Sequence, residues 1–484
     1  MGGKLAVRNF AAFGTTLLRV VFVLILLILL IPGGSARMAP LYMFSALMFL
    51  LTGIASVTAR DKKTVRHLLV PPLAVAIVLV AWVSIQAFSF EANPLANSIW
   101  AKTALLTGQQ AGAISIAPGD TVAALIPLML PFSTFICGIL LLDSDERVLT
   151  FLRALTVIAT VGSLIAVVQL ELFPDWLLFF EKTAYLDSAT VFFVNRNTTG
   201  TYLAIHLIVA LGLAFHHGQK IHVGDYDEIL RKGQRAQSWS DFIHLTLNAL
   251  AAIVIFCTLL LTRSRGGLAF GMVGLMLFVM ILAYWGPAPN TAGRRASSGR
   301  VTPRRWLRVS IVFVVCAVVA VLFGGRALLR ASELGAEDGR YCAYPHILRL
   351  LGDNWLTGTG LGTFMDAFTP YRSAACGIMP IWDKAHSVYL EAWITLGIIA
   401  LIVILAVIGW LSWVLTQGML SRSNYRWAPA AGLGILVTVI LHSAVDFSLQ
   451  IPGFAASFAA IMAGMVRIAS GRSKGRRSEP VSRN

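Results

Sequence analysis

The sequence predicts an all-α, polytopic integral membrane protein of about twelve transmembrane helices, and three observations predict it. The 484 residues are 57% hydrophobic and only 13% charged, with a mean hydropathy of +0.76, whereas soluble domains are nearer a quarter charged. Apolar runs of roughly 20 residues, the length needed to cross a bilayer, recur along nearly the whole chain. Basic residues are distributed to one side. With the amino terminus placed in the cytoplasm, roughly two-thirds of the 39 Lys and Arg fall in cytoplasmic segments and most of the 23 Asp and Glu fall outside, as the positive-inside rule requires.

The runs lie near 14–31, 41–58, 68–88, 122–142, 151–172, 198–215, 242–261, 267–284, 309–324, 386–411, 429–445 and 453–468. Lys4 and Arg8 precede the first, as in a signal peptide, but its length and the lack of a small-residue cleavage site make it an uncleaved span. Residues 1–324 then hold nine spans, 325–385 form a long external loop, 386–468 hold three more spans, and 469–484 form a basic tail. Both termini are cytoplasmic. The basic clusters (Arg60 to Arg66, Lys220 to Arg235, Arg294 to Arg308 and the tail) share the cytoplasmic side, where they set topology and attract anionic lipid. The net charge of +16 is accounted for in this way, and no nucleic-acid partner is expected.

Three external segments exceed simple connections. Residues 90–120 form a Gly/Ala/Pro-containing loop. Residues 171–197 carry Phe173, Trp176, Phe179, Phe180 and Tyr185 and are expected to lie along the membrane interface, where such rings partition. Within 325–385, the spacing of Tyr341, Tyr344, Leu348 and Leu351 predicts a short helix against the membrane. Cys342 and Cys376 share that loop and would form a disulfide or stay free. Cys137, Cys257 and Cys316 lie in apolar runs as small hydrophobes.

Chemistry is expected at the external helix mouths. Arg263 and Arg265, in TRSRGG, precede the eighth span and either snorkel to lipid phosphates at the bilayer edge or bind a substrate phosphate, since a guanidinium matches two phosphate oxygens and the following glycines admit a backbone or a headgroup. Arg340 and Arg349 stand in the long loop. The GTGLGTF run at 358–364 reads as a tight turn, since no Walker lysine or strand–helix context accompanies it. His386, at the mouth of the tenth span, has the character of a general base beside cations, with Asp383 as a candidate to orient it. No metal-ligand spacing is present, and no cofactor is expected. Arg19, Glu391 and Asp446 are the few charges within spans, each near an end, which disfavours a transporter or flippase.

Taken in order, RSRGG at 263–267, GTGLGTF at 358–364 and AHSVYLEAWITLGIIALIVIL at 385–405 resemble the bacterial O-antigen ligase and polysaccharide polymerase superfamily. ISIAPGD at 114–120, VNRNTTGTYLA at 194–204 and HSAVDFSLQIPG at 442–453 are similar to its exopolysaccharide-polymerase branch. Thr198 and Thr199 stand where an aromatic or histidine is common, and Ser387 where Asn often follows the histidine. The resemblance implies an inner-membrane glycosyltransferase acting at the periplasmic face, without metal or nucleotide, on an oligosaccharide carried by undecaprenyl diphosphate. His386 would be the base, Arg265 and Arg340 the diphosphate-binding arginines and Arg263 their neighbour. The acceptor would be a growing exopolysaccharide or O-antigen chain or, in a ligase, lipid A core, with other envelope assembly proteins as partners.

Overall fold

The computed structural model describes residues 2–31, 33–59, 62–108, 110–182, 184–221, 236–285, 339–373, 376 and 382–471. The ninth expected span, 309–324, and much of the connectors expected at 216–241 and 285–308 lie outside the described residues. Each of the other expected spans coincides with a helix. In chain order these are α1 (Gly2–Leu30), α2 (Met38–Thr58), α3 (Lys62–Ala87), α5 (Pro118–Ala123) with α6 (Leu125–Leu141), α7 (Asp145–Leu172), α8 (Arg196–Gly218), α9 (Ala236–Leu261), α10 (Arg265–Trp285), α13 (Val388–Leu396) with α14 (Ile398–Ser421), α15 (Trp427–Ser443) and α16 (Pro452–Ala469). Outside the spans are α4 (Ile99–Thr107), α11 (Gly339–Asn354) and α12 (Phe364–Phe368). Two short hairpins pair Phe90–Glu91 with Ala111–Gly112 and Trp176–Leu177 with Phe180–Glu181. Among the described residues nine helices are long and apolar enough to cross a membrane, and Gly14–Leu30 and Trp427–Ser443 are shorter apolar helices. The chain is an all-α, multi-pass membrane protein.

Burial separates centre from periphery. The apolar windows of α8 and α16 are 89% buried, against 22% for α3 and α14, so α8 and α16, with the mostly buried α15, are inner helices and α3 and α14 are peripheral. Small residues let the helices approach. A Cβ on Gly267 of α10 would lie 2.8 Å from the Gly200 backbone of α8, and one on Gly434 of α15 would lie 2.5 Å from the Gly274 carbonyl. Apolar surface gives no net drive for association in lipid, so such close backbone contact is what joins helices there.

Helix direction alternates. Asp187, Asn197, Arg263, His386 and Asp446 share one end of the bundle, the site end, and Asp143, Asp241, Arg422 and Arg467 the other, the basic end.

The expected tenth span, 386–411, is not one helix. It breaks at Gly397 (φ 67°, ψ −158°) into α13 and α14. Lipid offers no partner for the freed carbonyls, and protein supplies them. The Thr359 N–H donates to Ile394 O (2.9 Å) and the Gly360 N–H to Thr395 O (3.0 Å). Gln86 Nε2 also reaches Thr395 O (2.9 Å), and Trp82 Nε1 reaches Leu396 O (2.8 Å). The GTGLGTF run is therefore a clasp on the break. Gly358 has φ 74° and no room for a side chain, its Cβ position being 2.4 Å from Thr395 O.

The long external loop has a core of its own. It gathers Ala343, Ile347, Leu350, Leu351, Phe364, Phe368, Trp382, Ala385 and Ile394. The helix expected at 341–351 is α11, but its buried stripe differs from the expectation. Leu348 is exposed, and the small Ala343, which carries little weight in a hydrophobicity pattern, is buried. Cys342 and Cys376 form a disulfide with Cα atoms 5.5 Å apart, across a separation of 34 residues. Closing a loop of that length stabilises the fold by about 4 kcal/mol in the chain-entropy picture.

Candidate functional site

Three helix N-termini meet at the site end, and each is built by a short polar cap. At α8 the Asn195 side chain caps, accepting the Asn197 N–H (2.7 Å). At α10 Ser264 Oγ accepts the Gly267 N–H (3.1 Å). At α13 Ser387 Oγ accepts the Leu390 N–H (3.4 Å). Asn and Ser are both strong N-caps, which is why Ser387 replaces the common Asn without changing the local fold. The caps place Arg196 at the first position of α8, Arg265 at the first position of α10, and His386 immediately before the cap of α13.

A buried polar network binds these ends together. Ser264 Oγ donates to Asn197 Oδ1 (3.1 Å), and Asn197 Nδ2 donates to Asp446 Oδ1 (3.0 Å). Asp446, 1% exposed, also accepts from the Ser448 hydroxyl. Thr201 Oγ1 lies 2.5 Å from His442 Nδ1. Phe447, next to Asp446, packs on the His386 ring (centroids 5.3 Å, 62°), and Trp382 meets that ring edge-on from another side (5.5 Å, 88°). From Ser264, between the two arginines, to His386 there are thus three side-chain contacts and one covalent step.

The expected site residues fare differently. Arg265 is exposed and makes no ion pair or hydrogen bond among the described residues. Arg263, at φ 54°, is ion-paired to Asp187. The Ser188 hydroxyl and then Arg263 hold the Asp187 carboxyl below the usual carboxylate range. Lys182 is buried in the same loop and donates to Ser188 O (2.9 Å), and burial pushes its ammonium down from the ordinary lysine value. Arg340 lies in the first turn of α11, but its side chain is outside what is described. Arg349 and Asp383 are exposed and make no hydrogen bond or ion pair among the described residues, and the His386 ring packs between Trp382 and Phe447. The Gly266–Gly267 pair serves packing rather than a headgroup. A Cβ on Gly266 would lie 2.7 Å from the His442 ring, and Gly267 abuts Gly200.

Arg196, Asn197, Ser264 and Asp446 were not singled out for chemistry by the sequence. Their signal was the three motifs at 194–204, 263–267 and 442–453, whose polar residues meet only in the fold. Arg196 is half-buried, its guanidinium 5.1 Å from the Tyr185 ring centroid, a cation–π contact that brings a third arginine to this mouth. Trp382 also lines a small pocket with His346, Phe368 and Arg372. Among the described residues no three His, Cys, Asp or Glu side chains gather as a metal site.

The electrostatics favour an anion. A helix N-terminus carries roughly half a positive charge and exposed N–H groups. Arg196 and Arg265 add full charges at the N-termini of two helices that touch at Gly200 and Gly267.

No curated protein matches the chain. Residues 250–405, which contain both the Arg263–Arg265 turn and His386, match the protein-family model described as O-antigen ligase, and that segment supports a place in the O-antigen ligase superfamily.

Proposed function

We propose that this protein transfers a glycan from undecaprenyl diphosphate at the periplasmic face of the bacterial inner membrane, polymerising exopolysaccharide or O-antigen repeat units. The observation that carries the reading is Arg265 at the N-terminus of α10, unpaired among the described residues and linked through Ser264, Asn197 and Asp446–Phe447 to His386. A disulfide in the loop beside the site fits an oxidising compartment.

In this mechanism Arg265 and Arg196, with Arg263 after its release from Asp187 and Arg340 from the loop, hold the diphosphate. His386 takes the proton of the acceptor hydroxyl as its oxygen attacks the anomeric carbon. The bond from that carbon to the diphosphate oxygen breaks, the configuration inverts, and undecaprenyl diphosphate leaves with its charge stabilised by the arginines. The aromatic neighbours fix the imidazole so that donor, acceptor and base share one geometry.

Transfer of a finished glycan to lipid A core is the second reading, favoured by the description of the matching family. One experiment separates them: the length of the glycan left on the lipid carrier in cells whose only copy is His386→Ala. Single repeat units identify a polymerase, and long stranded chains a ligase. A pool like that of the wild type overturns both.

A further inference from the structure

We propose that Glu391 is a positioning residue for His386, an inference that rests on the proposed function. Its carboxylate is 8% exposed and lies in the first turns of α13, where a buried charge is retained only with partners. It has two, both immediately before the histidine. Oε2 accepts the Ala385 N–H at 2.8 Å, and Oε1 is 3.4 Å from Lys384 Nζ. The backbone needs such a hold. His386 has φ 53°, a conformation that non-glycine residues rarely take and that persists only where the surroundings enforce it.

Pins stand on both sides of that strained residue. After it, Ser387 caps α13, and the Ser387 carbonyl accepts the Glu391 N–H at 3.0 Å. Before it, the Glu391 side chain folds back over the cap to the amide of Ala385, which is fully buried. Glu391 therefore closes a ring of hydrogen bonds around His386 and fixes where its imidazole enters the space between Trp382 and Phe447. Asp383, the carboxylate nearer in sequence, is exposed and bonds to neither.

The test uses the full chain in liposomes and, as substrate, the lipid-linked glycan that accumulates in His386→Ala cells. Glu391→Met fills the same space without an acceptor, and Glu391→Gln keeps one. Folding of each is read from the melting temperature and the intact Cys342–Cys376 bond. The Met variant is expected to lose about 10²-fold in kcat, the scale of a small misplacement of a reacting group, with KM for the donor within about threefold, while Gln recovers most of the rate. Wild-type kcat in the Met variant overturns the inference. So does a fall in kcat accompanied by an equal rise in KM that Gln does not reverse. If no glycan accumulates in His386→Ala cells, the proposed function fails and this inference with it, an outcome distinct from both.

Discussion

The two ends of the bundle use arginine in opposite ways. At the basic end arginines close helix C-termini. Arg19 Nε donates to Leu141 O, Arg467 Nε to Leu142 O, and Arg426 to both Met419 O and Trp285 O, all at 2.8–2.9 Å. Arg422 is ion-paired to Asp145. These cations meet the negative ends of helix dipoles and the carbonyls left without helical partners. At the site end Arg196 and Arg265 stand at N-termini, where the dipole repels a cation. Each such placement costs about 0.3–1 kcal/mol, offset at Arg196 by the Tyr185 ring and at Arg265 by no contact among the described residues. The arginines bonded to carbonyls hold the fold together, whereas Arg265, which makes no such bond among the described residues, is available to the ligand proposed above.

The largest test of this contrast is Arg265→Ala. It is expected to lower glycan transfer by about 10²–10³-fold, the loss typical of one donor to a developing oxyanion, and to leave the melting temperature unchanged or slightly raised. Arg422→Ala should behave in reverse. Removing one member of a buried pair costs about 3 kcal/mol, so the melting temperature in detergent falls while turnover per folded molecule is retained. A catalytic defect from Arg422→Ala, or a stability defect from Arg265→Ala, breaks the comparison.

Asp446→Ala sharpens it, because this residue should affect both properties. It strands Asn197 and Ser448, at about 1–3 kcal/mol for a buried group left without its partner, and loosens the link from Ser264 to Phe447. Thermal melting and glycan length measured on the same variant check this. The smallest effect is the pH response of Asp187, the partner of Arg263. The Asp187 pKa is depressed in the fold, so its stabilising contribution is present above the unfolded carboxylate pKa and lost as pH falls through the lowered value. Asp187→Asn should abolish that part of the acid-side slope in a pH series of melting temperatures.

Most of the fold was legible because apolar length is a local property, and the spans from α1 to α10 follow directly from it. The break at Gly397 was not legible. Residues 386–411 form one hydrophobic run, and the groups that make a break tolerable (Gln86, Trp82 and the clasp at 359–360) lie far away in sequence. Within the candidate site, the positions of Arg265 and His386 at helix mouths were legible from the sequence, while their roles are the proposal made above. That Arg263 is already engaged was not, because Asp187 lies 76 residues away. Nor was the Asn197–Asp446 bond, which spans 249 residues. That the His386 ring packs on Phe447, 61 residues away, was not legible either, whereas Asp383 suggested itself only by proximity along the chain.

The clasp at Gly397 also has a consequence for biogenesis. Gln86 is completely buried, and its amide donates to Thr357 O and Thr395 O, which are synthesised 271 and 309 residues later. During translation α3 must wait in the bilayer with this amide unmatched until the last third of the chain has been inserted. The clasp at the site end of the bundle is therefore completed only when the carboxyl-terminal part of the chain arrives. A nascent chain stopped before residue 357 lacks both carbonyl acceptors of the Gln86 amide.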